Sequence, residues 1–182
     1  MAPKLHLYSI YLIIDDTICE KSLPSSKAKK PIYGCSFHKS HLKNEMVYGH
    51  QFVTAMLRCG NMVLPLTIAL YEKDVKSKIA MAKEIIEDLP KPVNHGYVLT
   101  DSWYSCTELF KAAQSSGFSF IDAIKSNRKI FPRGYRRKGI KIGVFARTLH
   151  TRDLDYVTVG GHRYYMQCQQ VKRKSPKKHL TN

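Results

Sequence analysis

Three aspartates follow short hydrophobic segments of this sequence. Asp15 and Asp16 come directly after Tyr8–Ile14, and Asp101 follows Tyr97–Thr100. β-Branched and aromatic residues dominate both segments, which predicts buried strands. If the strands are parallel neighbours, their carboxylates emerge together at the carboxyl edge of the sheet, where α/β proteins place ligands. Asp is also common in turns that simply end strands, so this structural interpretation stays open.

Neighbouring carboxylates repel each other unless a cation lies between them. Mg²⁺ prefers such hard oxygen ligands and keeps open positions for phosphate and water. Two such ions, about 3.5–4 Å apart, hold the attacking and leaving oxygens of a phosphoryl displacement. The aspartates therefore make metal-assisted phosphodiester chemistry a hypothesis, with Mg²⁺ or Mn²⁺ as the cofactor.

The charge balance favours a polyanionic partner. The 182 residues include 30 Lys+Arg and 14 Asp+Glu, a formal net charge of +16, and nucleic acid is the commonest polyanion. The length favours one domain. The longest apolar stretch is too short to span a bilayer, so no membrane partner is expected. Five scattered cysteines are typical of reduced thiols in a cytoplasmic protein.

Hydrophobic periodicity divides the chain into elements. It predicts strands over 8–14, 47–57, 62–71, 97–100 and 118–124, with a hairpin turn at Gly60-Asn61. Helices are predicted over 75–89 and from a capping box at Ser105–Glu108. Residues 20–46 have the composition of a long loop. Further on, 144–149 suggest a short helix, 155–159 and 162–166 suggest another hairpin, and 167–182 suggest a basic, disordered tail.

The order of these elements predicts the fold class. Three consecutive strands precede a helix, a strand, a helix and a strand, which implies an α/β protein with a mixed sheet and flanking helices. That element order is the one found in ribonuclease-H-like domains. The predicted domain covers residues 1–166.

Three segments resemble the DDE transposases of bacterial insertion sequences, most closely the group whose first acidic motif reads Asp-Asp-Thr. They are Tyr11–Thr17, Val47–Gln51 and Tyr97–Ser105, and the resemblance spans about residues 8–166. It implies a ribonuclease-H-like fold, dependence on Mg²⁺ or Mn²⁺, and cleavage and transfer of DNA strands by three acidic residues. It also implies DNA partners, namely the element ends and the target, and allows a homodimer of the full-length protein.

The resemblance assigns two of the three acids. The first corresponds to Asp15 or Asp16; Asp15 is favoured because it stands two residues before Thr17. The second is Asp101. A third acid, a Glu on a late helix, has no match, since Asp155 is the last acidic residue of the sequence. The chain is therefore expected to be a piece of a transposase without a complete catalytic triad. The alternative is a non-catalytic nucleic-acid-binding remnant.

Other residues suggest binding roles with plainer alternatives. Basic side chains in the later part of the sequence could contact DNA phosphates or form a solvated face: Lys125, Arg128, Arg133, Arg136, Arg137 and Lys138. Trp103 could stack on an unpaired base, or anchor the core. Cys35, His38 and His41, with Cys19, could bind zinc, although this spacing is not a usual finger pattern, and a basic loop is the default.

Overall fold

The computed structural model describes residues 8–25, 32–40, 42–132, 135, 137–159 and 162–166. The chain forms two compact units that divide at Lys125. The first contains six strands and two helices: β1 Ile10–Glu20, β2 Ser36–Ser40, β3 Glu45–Cys59, β4 Met62–Tyr71, α1 Lys78–Glu87, β5 Gly96–Thr100, α2 Thr107–Ser115 and β6 Phe118–Asp122. The predicted α/β class is therefore confirmed, and the tail 167–182 lies outside the described residues.

The second unit contains short elements. A two-stranded ribbon pairs β7, Lys129–Ile130, with β8, Ile140–Lys141, and α3 follows directly over Ile142–Thr148. A single 3-10 turn precedes the antiparallel pair β9, Asp155–Val159, and β10, His162–Met166. The short helix and the second hairpin predicted from the sequence are both present.

The sheet of the first unit combines antiparallel and parallel strands. Its order is β2-β3-β1-β5-β6, and β4 also pairs with β3. β2 and β4 lie along the same edge of β3. β2 pairs with residues 45–49 of β3, and β4 pairs with residues 51–59. β1 is antiparallel to β3 and parallel to β5, and β5 is parallel to β6. The two acid-bearing strands are parallel neighbours, which is the condition under which the sequence predicts that their carboxylates converge.

One face of this sheet carries the hydrophobic core. Side chains alternate along a strand, and every second residue of β1, Leu12 and Ile14, is buried together with Val53 of β3 and Val98 of β5. Ala82, Ile86, Leu109 and Ala113 of the two helices complete this cluster. Ser77 caps α1 by accepting a hydrogen bond from the amide of Ala80. Both helices therefore cover the same face.

Two predictions about the first strands are wrong. β1 does not end at Asp15 but continues to Glu20, because it stays paired with β3 from Ile10–Cys59 to Glu20–Gly49. That ladder of backbone hydrogen bonds outweighs the weak strand propensity of the acids. Residues 20–46 are not all loop, because β2 lies within them. Four strands, not three, precede α1.

Two turn predictions have different outcomes. The β3–β4 hairpin turns at Gly60-Asn61 as predicted, and Gly60 has a φ of +59°. Glycine adopts this left-handed conformation readily. The capping box at Ser105 is wrong: α2 begins after Cys106, and no side chain caps it. Asp101, not Ser105, binds the amides just before this helix.

Candidate functional site

Asp15 and Asp101 lie just beyond the last residue pair that joins the parallel strands β1 and β5. The register ends with Ile13 paired to Leu99; Asp15 follows Ile13 by two residues within β1, and Asp101 follows Leu99 by two residues, directly after β5 ends at Thr100. Both residues are exposed, and the alternation of side chains along β1 places Asp15 on the face opposite α1 and α2. The structure therefore places the two sequence-predicted acids at corresponding positions on neighbouring parallel segments.

Asp16 belongs to the opposite, helix-covered face. Its carboxylate accepts hydrogen bonds from the Nζ of Lys78 at 2.9 Å and the hydroxyl of Tyr104 at 3.2 Å. The side-chain amide of Gln51, on the neighbouring strand β3, is its third donor. The side chains of Lys78 and Asp16 are only 12% and 18% exposed. Three partners and partial burial hold Asp16 in place.

The hydroxyl of Tyr104 lies in the field of all three acids. Its side chain is fully buried. Burial, and then the carboxylate of Asp16, raise the pKa of this phenol well above its usual value, with further contributions from Asp15 and Asp101. The hydroxyl therefore stays protonated and donates to Asp16. All three carboxylates therefore disfavour ionisation of this buried hydroxyl, and Asp16 accepts its hydrogen bond.

Gln51 extends the network to a buried histidine. His38, in β2, is 5% exposed and hydrogen-bonds to Gln51 and to the Oγ of Ser36. Burial lowers the pKa of His38, and the nearby ammonium groups of Lys78 and Lys73 lower it further. The imidazole is therefore neutral at pH 7. It does not add a second positive charge beside Lys78.

Lys78 also contacts the single tryptophan of the chain. Its Nζ lies 4.1 Å from the ring centroid of Trp103 and 5.7 Å from that of Tyr71. Trp103 is 39% exposed and meets Tyr104 edge-on. The ring therefore takes part in a cation–π contact, which stabilises by about 0.5–2 kcal/mol depending on solvation. The sequence suggested that Trp103 stacks on an unpaired base or anchors the core, and neither suggestion included a contact with Lys78.

Sequence reasoning singled out neither Lys78 nor Gln51 as a site residue, and it did not assign Tyr104 a role. One signal for Lys78 was present: a lysine in the first turn of a helix opposes the helix dipole, which favours acidic residues there. Such a residue has a compensating partner in many structures, and here it is Asp16. No comparable local signal marks Gln51, whose partner is 35 residues away in the chain.

The oxygens of Asp15 and Asp101 determine whether a divalent cation fits. Asp15 Oδ1 accepts the amide of Asp16 at 2.8 Å, and Asp101 Oδ1 accepts the amide of Trp103, also at 2.8 Å. These bonds fix both carboxylates, and the second oxygen of each remains for a ligand. Mg²⁺ commonly uses one or two carboxylates and completes its coordination with water and substrate phosphate. The donor set therefore suits a weakly held Mg²⁺ or Mn²⁺.

A larger metal cluster is not observed within the described residues. No group of three or more His, Cys, Asp or Glu side chains there is placed to hold a metal ion. Asp122 ends β6 and is paired with Thr100, on the helix-covered face, so it does not join Asp15 and Asp101. The sequence had suggested Asp122 in the middle of a strand. Asp122 therefore does not supply a third acid for this pair.

The structure describes some of the predicted basic and zinc-binding residues. Lys125, Arg128, Arg137 and Lys138 are exposed in the second unit, and Arg133 and Arg136 lie outside the described residues. Cys35 precedes β2, and its Sγ lies 3.3 Å from Nε2 of His50, a residue of β3. His41 lies outside the described residues. The DNA contacts and the zinc alternative both stay predictions.

Comparisons with known proteins give one structural neighbour. No protein-family model matches the sequence, and neither does any curated protein. A search of solved structures finds similarity to the piggyBac transposase synaptic complex with hairpin DNA, at 14% identity and a TM-score of 0.40. The match covers 82% of this chain and 28% of the transposase chain. This similarity concerns the path of the chain alone, and nothing about its activity follows from it.

No helix among the described residues has the length and apolar character needed to cross a membrane.

Proposed function

We propose that this chain is a transposase-derived DNA-processing domain with a ribonuclease-H-like fold. Asp15 and Asp101 bind Mg²⁺ or Mn²⁺, and the basic loops bind DNA at the element ends and the target. The resemblance of three sequence segments to insertion-sequence transposases supports this proposal. The observation that carries it is the register of β1 and β5, whose last pair, Ile13 with Leu99, comes two residues before Asp15 and Asp101.

The contacts of Asp16 support the choice of Asp15 as the first metal ligand. Asp16 is engaged by Lys78, Gln51 and Tyr104, so a cation would have to displace an ammonium group to reach it. Asp15 is exposed, and its described side-chain hydrogen bond comes from a backbone amide. In this proposal Asp16 is a positioning residue. It fixes β1 against α1 and against the turn that carries Asp101.

The proposed chemistry is displacement at a DNA phosphodiester. When bound, the cation would supply charge stabilisation and activate the nucleophile, first water and then a DNA 3′-hydroxyl. Asp15 and Asp101 would hold that cation, and the chemistry it would supply is charge stabilisation at the reacting phosphate. The ammonium of Lys78 neutralises Asp16, so Asp15 and Asp101 are the uncompensated carboxylates among these three acids.

Two acids do not make the three-acid site that the resemblance implies. One specific observation therefore favours the alternative, a non-catalytic DNA-binding remnant: the described residues contain no metal-binding group of three. Cation binding distinguishes the two candidates. A DNA-processing site binds Mn²⁺ through Asp15 and Asp101, whereas a remnant binds DNA and has no measurable affinity for the cation at these residues.

We expect the 182-residue chain on its own to bind DNA without cutting it. A missing ligand displaces a catalytic metal, and a shift of about 1 Å already lowers rates about 100-fold. The measurement is nicking of a supercoiled plasmid carrying the element ends, with Mg²⁺ or Mn²⁺, beside the double variant Asp15→Asn/Asp16→Asn. Nicking by the native chain alone would show that the site is complete.

DNA affinity is expected to depend strongly on salt and little on sequence. The net charge of +16 implies phosphate contacts, and each contact contributes about 0.9 to the slope of log affinity against log salt. Replacing Arg136, Arg137 and Lys138 by Ala should reduce that slope by about two to three. The control replaces three exposed lysines of the first unit, Lys39, Lys91 and Lys111, and so removes the same charge. An equal reduction in both variants would contradict the proposed DNA contacts.

A further inference from the structure

A concave pocket opens on the sheet face that α1 and α2 leave uncovered. It has a volume of about 620 Å³, within the range of small-molecule sites. Its lining comes from β1, β5 and the end of the β3–β4 hairpin: Tyr8, Ser9, Tyr11, Ile13, Arg58, Gly60 and Leu99. All these residues belong to the first unit. The pocket plays no part in the chemistry derived above.

The pocket adjoins the acid pair. Ile13 and Leu99 are paired across β1 and β5, and Asp15 and Asp101 follow them by two residues. Two residues of strand span about 6–7 Å. A ligand seated on Ile13 and Leu99 therefore lies directly beside any phosphate held at Asp15 and Asp101.

Aromatic rings form the walls. Tyr11 stacks on Tyr97 with their centroids 5.3 Å apart and their planes 17° apart. Tyr8 is 54% exposed and lies against Gly60, where a β-carbon would come within 3.3 Å of its ring. Glycine at this turn thus gives the Tyr8 ring room to lie over the backbone. The walls are flat and fixed by contacts within the fold.

The pocket lining includes one positively charged side chain, Arg58. Arg58 is paired with Tyr11 across β3 and β1, so both side chains leave the same face. Its Nε donates to the carbonyl of Gly60 at 3.1 Å, which fixes the guanidinium beside Tyr8. A planar guanidinium suits phosphate recognition. The pocket therefore combines an aliphatic floor, aromatic walls and one positive group.

We propose that this pocket binds one unpaired nucleotide of the DNA strand that passes the acid pair. The base lies on Ile13 and Leu99 against the tyrosine rings, and Arg58 binds a flanking phosphate. This inference rests on the proposed function and adds a subsite to it. Charge complementarity favours this occupant, because an apolar protein segment does not require an arginine on the rim in a chain of net charge +16. A paired base cannot enter, since its faces are stacked within the duplex.

The experiment compares single-stranded with duplex DNA in the presence of EDTA, so that the result does not depend on a metal. Fluorescence anisotropy measures binding of a short oligothymidylate, and of the same strand in duplex form, to the full chain. Tyr8→Ala should lower single-strand affinity about tenfold, the usual effect of losing one stacking contact, and leave duplex affinity within about twofold. Arg58→Ala should also weaken single-strand binding.

The matched controls are Tyr33→Ala and Lys111→Ala. Tyr33 is an exposed tyrosine outside the pocket lining, and Lys111 is an exposed cation on α2. Both should leave the preference for single strands unchanged. Tyr11→Leu removes a ring and keeps apolar volume, and its thermal melting separates lost binding from lost folding. An oligothymidylate carrying bromodeoxyuridine should form a photochemical crosslink to Tyr8 or Tyr11.

Three results would overturn the proposal. The first is that Tyr8→Ala binds single-stranded DNA with the affinity of the native chain. The second is that the bromodeoxyuridine oligonucleotide crosslinks only to residues of the second unit. The third is a change of oligomeric state in Tyr8→Ala without a change in DNA binding, which would show that a protein segment occupies the pocket. Asp101→Asn could keep its Mn²⁺ affinity while Tyr8→Ala no longer binds the oligonucleotide. That combination would support the nucleotide pocket and contradict the proposed metal site.

Discussion

Lys78→Met is expected to lower the free energy of unfolding by about 2–3 kcal/mol. Breaking a buried ion pair usually destabilises by about 3–5 kcal/mol, because the remaining charge is left uncompensated. The expected loss is smaller here, since Gln51 and Tyr104 still donate to Asp16. Methionine retains apolar contact with Trp103. Urea denaturation followed by circular dichroism measures the change.

The same helix supplies the matched control. Lys83 lies 3.9 Å from Glu87, and these side chains are 39% and 45% exposed. Lys83→Met should therefore change stability by less than about 0.5 kcal/mol. The double variant Asp16→Asn/Lys78→Met should recover part of the loss, because it removes both charges. Equal losses of unfolding free energy in Lys78→Met and Lys83→Met would show that the Lys78–Asp16 ion pair stabilises the fold no more than the exposed Lys83–Glu87 pair does.

Asp101→Asn is expected to abolish the binding of Mn²⁺. With two carboxylate ligands, the proposed site would hold the ion weakly, and an amide oxygen does not replace the lost negative charge. Even partners outside the coordination shell change metal affinity about 10- to 100-fold, so the loss of a ligand should exceed that range. Electron paramagnetic resonance of free Mn²⁺, titrated with protein, measures the affinity.

Asp122→Asn provides the control, because it makes the same substitution at the end of the adjacent strand but on the opposite face. It should leave Mn²⁺ affinity unchanged, and Asp15→Asn should reproduce the loss seen in Asp101→Asn. Unchanged affinity in Asp101→Asn would remove the model in which the two carboxylates bind one ion. The DNA-binding remnant would then be the better interpretation.

The two acid-bearing strands could be predicted from the sequence, and their parallel pairing could be stated as the condition for bringing the acids together. Each strand is a short hydrophobic segment followed by Asp, and parallel neighbours bring such residues to one edge. The sequence could not show where β1 ends, since its second half is strand through pairing with β3, not through composition. Local propensity describes a residue and its neighbours in the chain, whereas pairing depends on partners far away.

The support of Asp16 illustrates the same limit. Its three hydrogen-bond donors come from separate parts of the chain: Gln51 from β3, Lys78 from α1 and Tyr104 from the turn after β5. Strand alternation predicts that Asp15 and Asp16 point to opposite faces of the sheet. It does not tell which of the two faces the helices cover. Only the packing of α1 and α2 on the face of Leu12 and Ile14 separates the buried acid from the exposed one.

The strand order also has a consequence for the time course of folding. The β3–β4 hairpin joins neighbouring segments, whereas pairing of β1 with β5 joins Ile10 to Gly96 and must close a long loop. Closure entropy makes such distant pairing slow relative to a hairpin. Pulse-labelled hydrogen exchange should therefore protect the amides of β3 and β4 before those of β5, and the reverse order would contradict this pathway. A folding intermediate with its hairpin formed still lacks the paired acids, which come together only when the sheet is complete.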